Sequence, residues 1–269
     1  MSTADPSASP AHANHKLTLA YDGRRFFGWQ RHGKNATVQG ALEDALREIF
    51  GVACPVIGAG RTDRGAHAEG QVASFRHPKA LADGQDAHTE ALSTALAKAL
   101  PPELEVRGLE EVAMGFHARD DATGKRYRYE IFQGGQCPEE LEGQVWLVKT
   151  PLDVVAMRRA APALLGSHDF ASFATRSNFE RKSTVRQLRT LDIEGDASPR
   201  LRLILEADSF LYKMVRNIVR ALVKVGEGRW KPAKLAQVLA AKDRQAAPGT
   251  APASGLYLDR VDYGEGSTP

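Results

Sequence analysis

Cysteine is nearly absent from this chain: Cys54 and Cys137 are the two in 269 residues. They form no Cys-x-x-Cys pair, which leaves no disulfide framework or zinc knuckle and fits a reducing, cytoplasmic setting. Long apolar runs are also missing. No stretch approaches the roughly 20 apolar residues of a membrane helix, so no membrane partner is expected. Residues 1–14 are rich in Ser, Ala and Pro without the apolar core of a secretion signal. They read as a disordered tail, and residues 264–269 read as a second tail. A strong charge imbalance is absent too. The formal net charge is +3, and composition alone does not announce a nucleic-acid binder. Phosphate-binding fingerprints are lacking. Gly58-Ala59-Gly60 is followed by Arg61-Thr62-Asp63, without the third glycine of a dinucleotide loop, and no Gly-Lys-Ser/Thr follows. No cluster of metal-ligating residues stands out.

What the chain does contain is one dense loop, Gly58 to Ala68, carrying Arg61, Asp63, Arg64 and His67 among three glycines. An apolar run, Cys54 to Ile57, leads in, and Gln71 to Phe75 alternates as a strand on the way out. A carboxylate between two arginines is an anionic nucleophile in a cationic setting, suited to an anionic substrate. Taken alone, Thr-Asp-Arg-Gly is equally a good turn with a surface ion pair.

Around this loop strands and helices follow in turn. His15 to Ala20 reads as a strand ending at Tyr21-Asp22-Gly23. Arg24 to Arg31 interleaves basic and aromatic residues, either a stacking and phosphate-contacting surface or core anchors beside a solvated loop. Thr37 to Phe50 has helical apolar spacing with Thr37 as N-cap, His88 to Ala99 is a second helix, and Leu104 to Val112 a further strand. That order is a ferredoxin-like split βαβ unit. Thr123 to Phe132 reads as a strand with Tyr127, Tyr129 and Ile131 on one face and Arg126, Arg128 and Glu130 on the other. Pro151 to Leu165 reads as a helix with Pro at its start, and Thr184 to Glu194 with Leu201 to Ala207 as a hairpin. Ser209 to Val225 is the strongest helix, with an apolar stripe and a basic face of Lys213, Arg216, Asn217, Arg220 and Lys224. A second α/β unit thus follows the first. His168-Asp169 reads as capping and packing rather than an acid-base pair.

Five of these segments resemble the tRNA pseudouridine synthase A family. Gly60 to Ala68 is similar to its Gly-Arg-Thr-Asp-x-Gly-Val-His-Ala signature, with Ala66 in the valine position. The others are Tyr21-Asp22-Gly23 with Phe27-Gly28-Trp29-Gln30, Phe116-His117-Ala118-Arg119 with Lys125-Arg126-Tyr127-Arg128-Tyr129, Met214-Val215-Arg216-Asn217, and the closing block around Leu256. His32 stands where the family has a Gln.

The resemblance implies an α+β fold of two ferredoxin-like, RRM-like subdomains with mostly antiparallel sheets, residues 15–115 and 116–263, and an active site in the cleft between them. It implies an isomerase that converts uridine to pseudouridine at positions 38, 39 and 40 of the tRNA anticodon stem-loop, working as a homodimer. That reaction has no redox or hydrolytic step, so the resemblance implies neither metal nor organic cofactor. Asp63 is the implied catalytic carboxylate, Arg216 its partner, and Tyr127 and Leu256 the walls of the base pocket. Arg61, Arg64, His67, Arg24 and Phe26 are the further expected substrate contacts. The competing readings are a non-catalytic tRNA-binding protein of the same fold and a small-molecule α/β enzyme using Asp63 as general base.

Overall fold

The computed structural model describes residues 12–79, 88–176, 183–195 and 198–264. Of the tails expected at residues 1–14 and 264–269, residues 1–11 and 265–269 lie outside the described residues, whereas residues 12–14 belong to the first strand. The first strand, β1 (His12–Tyr21), starts three residues ahead of the alternating stretch that signals it. Of these residues Ala13 and Asn14 are buried, and the Asn14 amide donates to Ala113 O and Phe116 O, both at 3.0 Å.

α1 (Val38–Phe50) forms as its spacing predicts. The Thr37 hydroxyl accepts the Gly40 N–H, and Gly51 at φ 70° ends the helix in the left-handed region. Next come β2 (Val56–Gly58), β3 (His67–Pro78), α2 (Thr89–Ala99) and β4 (Leu104–Val112). β3 is longer than its alternation suggests because Gln71, Ser74 and His77 are polar yet buried. The second half opens with β5 (Ala122–Gln133) and β6 (Trp146–Val148).

Two helices differ from expectation. α3 (Val154–Ala160) begins after Asp153, whose carboxylate caps Ala156 N at 2.8 Å, so Pro151 precedes the helix rather than starting it. It gives way to a 3-10 turn at Pro162, which cannot donate to the α ladder. After β7 (Gly166–Asp169), β8 (Val185–Glu194) and β9 (Arg200–Ala207) comes α4 (Met214–Gly226), which starts five residues later than its pattern suggests. The Asp208 carboxylate holds the preceding segment to the hairpin by accepting from Ser209 N (2.7 Å) and Gln187 N (3.1 Å). Lys213, at φ 60°, turns the chain into the helix. Lys213 is therefore off the helical face, and Asn217 on that face is fully buried. α5 (Lys234–Ala241) and β10 (Leu256–Tyr263) complete the chain.

The ten strands form one sheet in the order β4-β1-β3-β10-β5-β9-β8-β7, with β2 on β3 and β6 on β5. All pairings are antiparallel except β10–β3 and β5–β6. The α+β class with a mostly antiparallel sheet is as the sequence indicated. The chain through β4 builds one end of the sheet and β5 to β9 the other. β10 closes the seam, meeting β3 at Tyr257↔His67 and Leu258↔Ala68. One apolar core runs from Leu42 and Leu96 to Ile218 and Leu222. Among the described residues, no helix is long and apolar enough to cross a membrane.

Two predictions follow from these elements. Thr37→Ala removes the α1 cap and lowers unfolding free energy by about 1 kcal/mol, read from urea denaturation. The second concerns a buried histidine pair. His77 Nε2 lies 2.9 Å from His15 Nδ1, and the His77 ring stacks on Phe50. Burial first, then His77, lowers the His15 pKa to about 4, and burial lowers His77 as well. Below the ordinary value near 6.5 the unfolded chain therefore binds more protons than the fold. Stability is full above that value and falls as pH drops toward 4. Urea midpoints measured across this window should decline, and His77→Phe should make the decline shallower.

Candidate active site

Asp63 sits in the loop between β2 and β3. The Ala66 N–H closes a turn on Asp63 O at 3.0 Å, and the Gln71 amide donates to Gly60 O at 2.8 Å. The rest of the loop lies on the segment after β1. Trp29 N donates to Thr62 O at 3.0 Å, and Tyr21 Oη meets Thr62 Oγ1 at 2.8 Å. Two glycines let the backbones come this close. A Cβ at Gly28, where φ is +94°, would stand 2.7 Å from Thr62 O, and one at Gly23 only 2.0 Å from Ala66 O. The Tyr-Asp-Gly and Phe-Gly-Trp motifs are thus the bed on which the Asp63 loop rests. Trp29 is a core anchor and Phe26 is buried beside Tyr21, while Phe27 is exposed.

Arg216, in the first turn of α4, forms an ion pair with Asp63 through Nη1. Its Nε donates to Ala251 O at 2.7 Å. The guanidinium is therefore shared between a carboxylate and a backbone carbonyl. The pair is partly withdrawn from water, with side-chain exposures of 22% for Asp63 and 12% for Arg216. Its attraction is correspondingly less screened than that of a surface pair.

The helix start is itself locked. The Asn217 amide donates to Phe173 O at 2.7 Å, and its oxygen accepts from the Thr250 hydroxyl at 2.8 Å. The segment before β10 thus touches the site repeatedly. Ala251 holds Arg216, Pro252 O accepts from Tyr129 Oη at 2.7 Å, and Ala253 approaches Gly65. Sequence reasoning singled out only Leu256 here, because backbone carbonyls leave no signal in side-chain patterns.

Tyr127 is buried on the predicted face of β5, edge-on to Phe210 at 5.1 Å. Burial first, then Tyr21 and Asp63, push its phenol well above the usual range, so it stays protonated at neutral pH. Its hydroxyl faces Gly60, where an added Cβ would stand 3.5 Å away. Leu256 and Leu258 of β10 pair with Tyr129 and Tyr127 and share their face of the sheet. Lys125, one step along that face, also approaches Gly60. Burial, then Arg119 and Arg186, lower its pKa to about 8 against the opposing pull of Asp208. Burial and Arg119 likewise lower Arg61, which stands at the exposed side of the loop.

Other expected contacts lie elsewhere. His67 is buried on the opposite face of the sheet. Its Nδ1 accepts the Gly23 N–H at 3.1 Å, its Nε2 donates to Gly143 O at 3.0 Å, and its ring stacks on Tyr257. With both nitrogens occupied it supports the loop from behind. Arg24 is bound to the Asp22 carboxylate and to Glu142 O. Phe26 is part of the core. Arg64 does reach the surface, its guanidinium 4.2 Å over the Phe27 ring. On the other face of β5, Arg128 pairs with Asp259 and Glu69, and Arg126 with Glu206. The Asp169 carboxylate accepts from Ala171 N and the Thr184 hydroxyl, so it acts as a cap. Among the described residues, no three His, Cys, Asp or Glu side chains converge as a metal set.

A family model described as tRNA pseudouridine synthase matches residues 160–264, the part holding Arg216 and Leu256. Whole-chain relatives extend the likeness to the Asp63 loop. The tRNA pseudouridine synthase A of Myxococcus xanthus is 40% identical over 251 residues, 93% of this chain and 92% of the relative. That of Thermotoga maritima is 43% identical over 245 residues, 90% and 96% of the two chains. That of Rhodospirillum rubrum is 41% identical over 258 residues, 95% and 90%. Similarity of this degree across nine-tenths of both partners means that the chain belongs to the tRNA pseudouridine synthase A family.

Proposed function

We propose that this protein converts uridine to pseudouridine at positions 38, 39 and 40 of the tRNA anticodon stem-loop. The observation that carries this reading is the Asp63–Arg216 pair beside a buried, protonated Tyr127 and the apolar face of β10. The names of the relatives support the tRNA substrate.

The reaction breaks the N1–C1′ bond, turns the uracil and joins C5 to C1′, after which C5 loses a proton and N1 carries one. The target base leaves its stack to reach the carboxylate, so the site needs a pocket for a flipped base. Tyr127 and Leu256 wall that pocket. Asp63 supplies the carboxylate that promotes glycosidic cleavage and proton removal. Arg216 fixes its rotamer through the ion pair. Arg61 and Arg64 meet the RNA at the rim. The isomerisation is redox-neutral and adds no water, so these side chains suffice for it. The protein acts in the cytoplasm as a homodimer, one stem-loop spanning both subunits.

Two variants test the assignment. Asp63→Asn keeps the shape of the carboxylate but not its charge. It should abolish pseudouridine formation while tRNA still binds, as followed by RNA mapping and filter binding. Product at the wild-type rate sinks the role of Asp63, and a wild-type protein that binds tRNA without making product points to the non-catalytic reading.

Arg216→Lys conserves charge, but one ammonium cannot serve both the Asp63 carboxylate and Ala251 O in this geometry. The single-turnover rate should fall about tenfold or more, in line with roughly 1.5–3 kcal/mol for a lost charged hydrogen bond, with tRNA affinity changed far less. An unchanged rate makes Arg216 a phosphate contact only.

A further inference from the structure

Among the described residues only two Phe, Tyr or Trp side chains are exposed: Phe27 at 48% and Tyr212 at 43%. Each carries a cation on its ring. The Arg64 guanidinium lies 4.2 Å from the Phe27 centroid, and the Lys213 ammonium 4.9 Å from that of Tyr212. Each also belongs to one partner of the central ion pair. Arg64 follows Asp63, and Phe27 precedes Gly28, which rests on the backbone of Thr62 to Arg64. Tyr212 lies two residues before α4, which carries Arg216 in its first turn.

The neighbouring aromatics behave differently. Phe26 is in the core, and Phe210 packs against Tyr127. At Tyr212 the outward ring accompanies a local backbone constraint. Lys213 holds a left-handed φ of 60°, disfavoured for a residue with a side chain, and Tyr212 O is tied to Thr175 N at 3.0 Å. An apolar ring held in water next to a positive charge suits a base with a π-face attached to a phosphodiester backbone.

We propose that Phe27 with Arg64, and Tyr212 with Lys213, form two stacking platforms for the unpaired nucleobases that neighbour the flipped uridine, one at the Asp63 side and one at the Arg216 side. This rests on the function proposed above and extends it. The enzyme grips the opened strand next to the target by stacking, which tolerates sequence, rather than by reading base edges. One site can then serve targets whose neighbours differ.

The test uses the full-length protein and anticodon-arm RNA hairpins with 2-aminopurine placed 5′ or 3′ of the target uridine. Wild-type protein should quench each label on binding. Phe27→Ala should abolish quenching on one side and Tyr212→Ala on the other, each weakening hairpin binding roughly tenfold. Phe27→Trp and Tyr212→Phe should retain both properties. Loss of a stacked ring removes no phosphate contact, so the slope of log affinity against log salt should not change. Both rings are on the surface, and unchanged thermal melts confirm that the Ala variants fold. The proposal is overturned if the Ala variants quench and bind as wild type does. It is also overturned if Phe27→Leu equals wild type, or if the variants lose equal affinity for a fully paired duplex. Pseudouridine formation by wild-type protein on the unlabelled hairpin is scored separately. Its absence removes the proposed function, whereas quenching reports on the platforms alone.

Discussion

The ion pair between Asp63 and Arg216 links the two ends of the molecule. Asp63 arrives on a loop from the first half of the chain, and Arg216 on a helix from the second. Neither residue is useful alone. A carboxylate on a glycine-rich loop has many rotamers, and an arginine at a helix start has more. Their meeting removes that freedom, and the surroundings are built to make it repeatable. The Gly28 and Gly23 backbones press on the loop from below, and Ala251 O holds the far side of the guanidinium. The partial burial of the pair strengthens it, but it also makes an unpaired partner costly. The geometry is held from both sides because a misaligned pair would leave a charge half-buried without compensation.

The seam in the sheet carries the same constraint further. β10 meets β3 through only two register pairs, His67 with Tyr257 and Ala68 with Leu258. His67 strengthens this short contact. It stacks on Tyr257, whose ring is covered by Arg128 at 4.0 Å, and it binds Gly23 N directly behind the Asp63 loop. Accepting at Nδ1 and donating at Nε2 requires a neutral ring, and burial keeps the pKa low. One histidine therefore ties the loop bearing Asp63 to β10. Its position at the end of the loop signature reflects support for the loop from the sheet face opposite Tyr127.

Much of this was legible in the sequence, and the reasons differ by element. α1 and β4 were readable because their apolar periodicity and the Thr37 cap are local signals. Tyr127 was placed on the right face of β5 by alternation alone. The start of α4 was misread because an amphipathic stripe persists through Leu211, while Asp208 and the left-handed Lys213 hold those residues out of the helix. No count of periodicity sees a tertiary bond. Arg24 and Phe26 looked like RNA contacts because basic and aromatic residues alternate there, whereas the turn sends Phe26 inward and Phe27 outward. A loop has no fixed period, so its inward and outward positions become visible only with the fold. Ala251 was invisible for a different reason: its part is played by a carbonyl that every residue has.

The electrostatics around Lys125 show where the fold gives up stability to the site. An ordinary lysine titrates near 10.5, and this one near 8, because it is buried and faces Arg119 and Arg186. The shift lies in the direction that disfavours the charged form in the folded state. Lys125 therefore contributes full stability only above its unfolded value, and that contribution is lost as pH falls through about 8. At neutral pH the ammonium is charged, and the fold bears the repulsion. Asp208 offsets part of it, but its carboxylate is also engaged by the backbone of Gln187 and Ser209. A buried lysine held near other cations, beside Gly60 and Tyr127, costs the fold stability. An anion brought beside it would stabilise the charged lysine and relieve the repulsion. The groups that cost the fold stability thus stand beside the Asp63 loop, where they favour an anion.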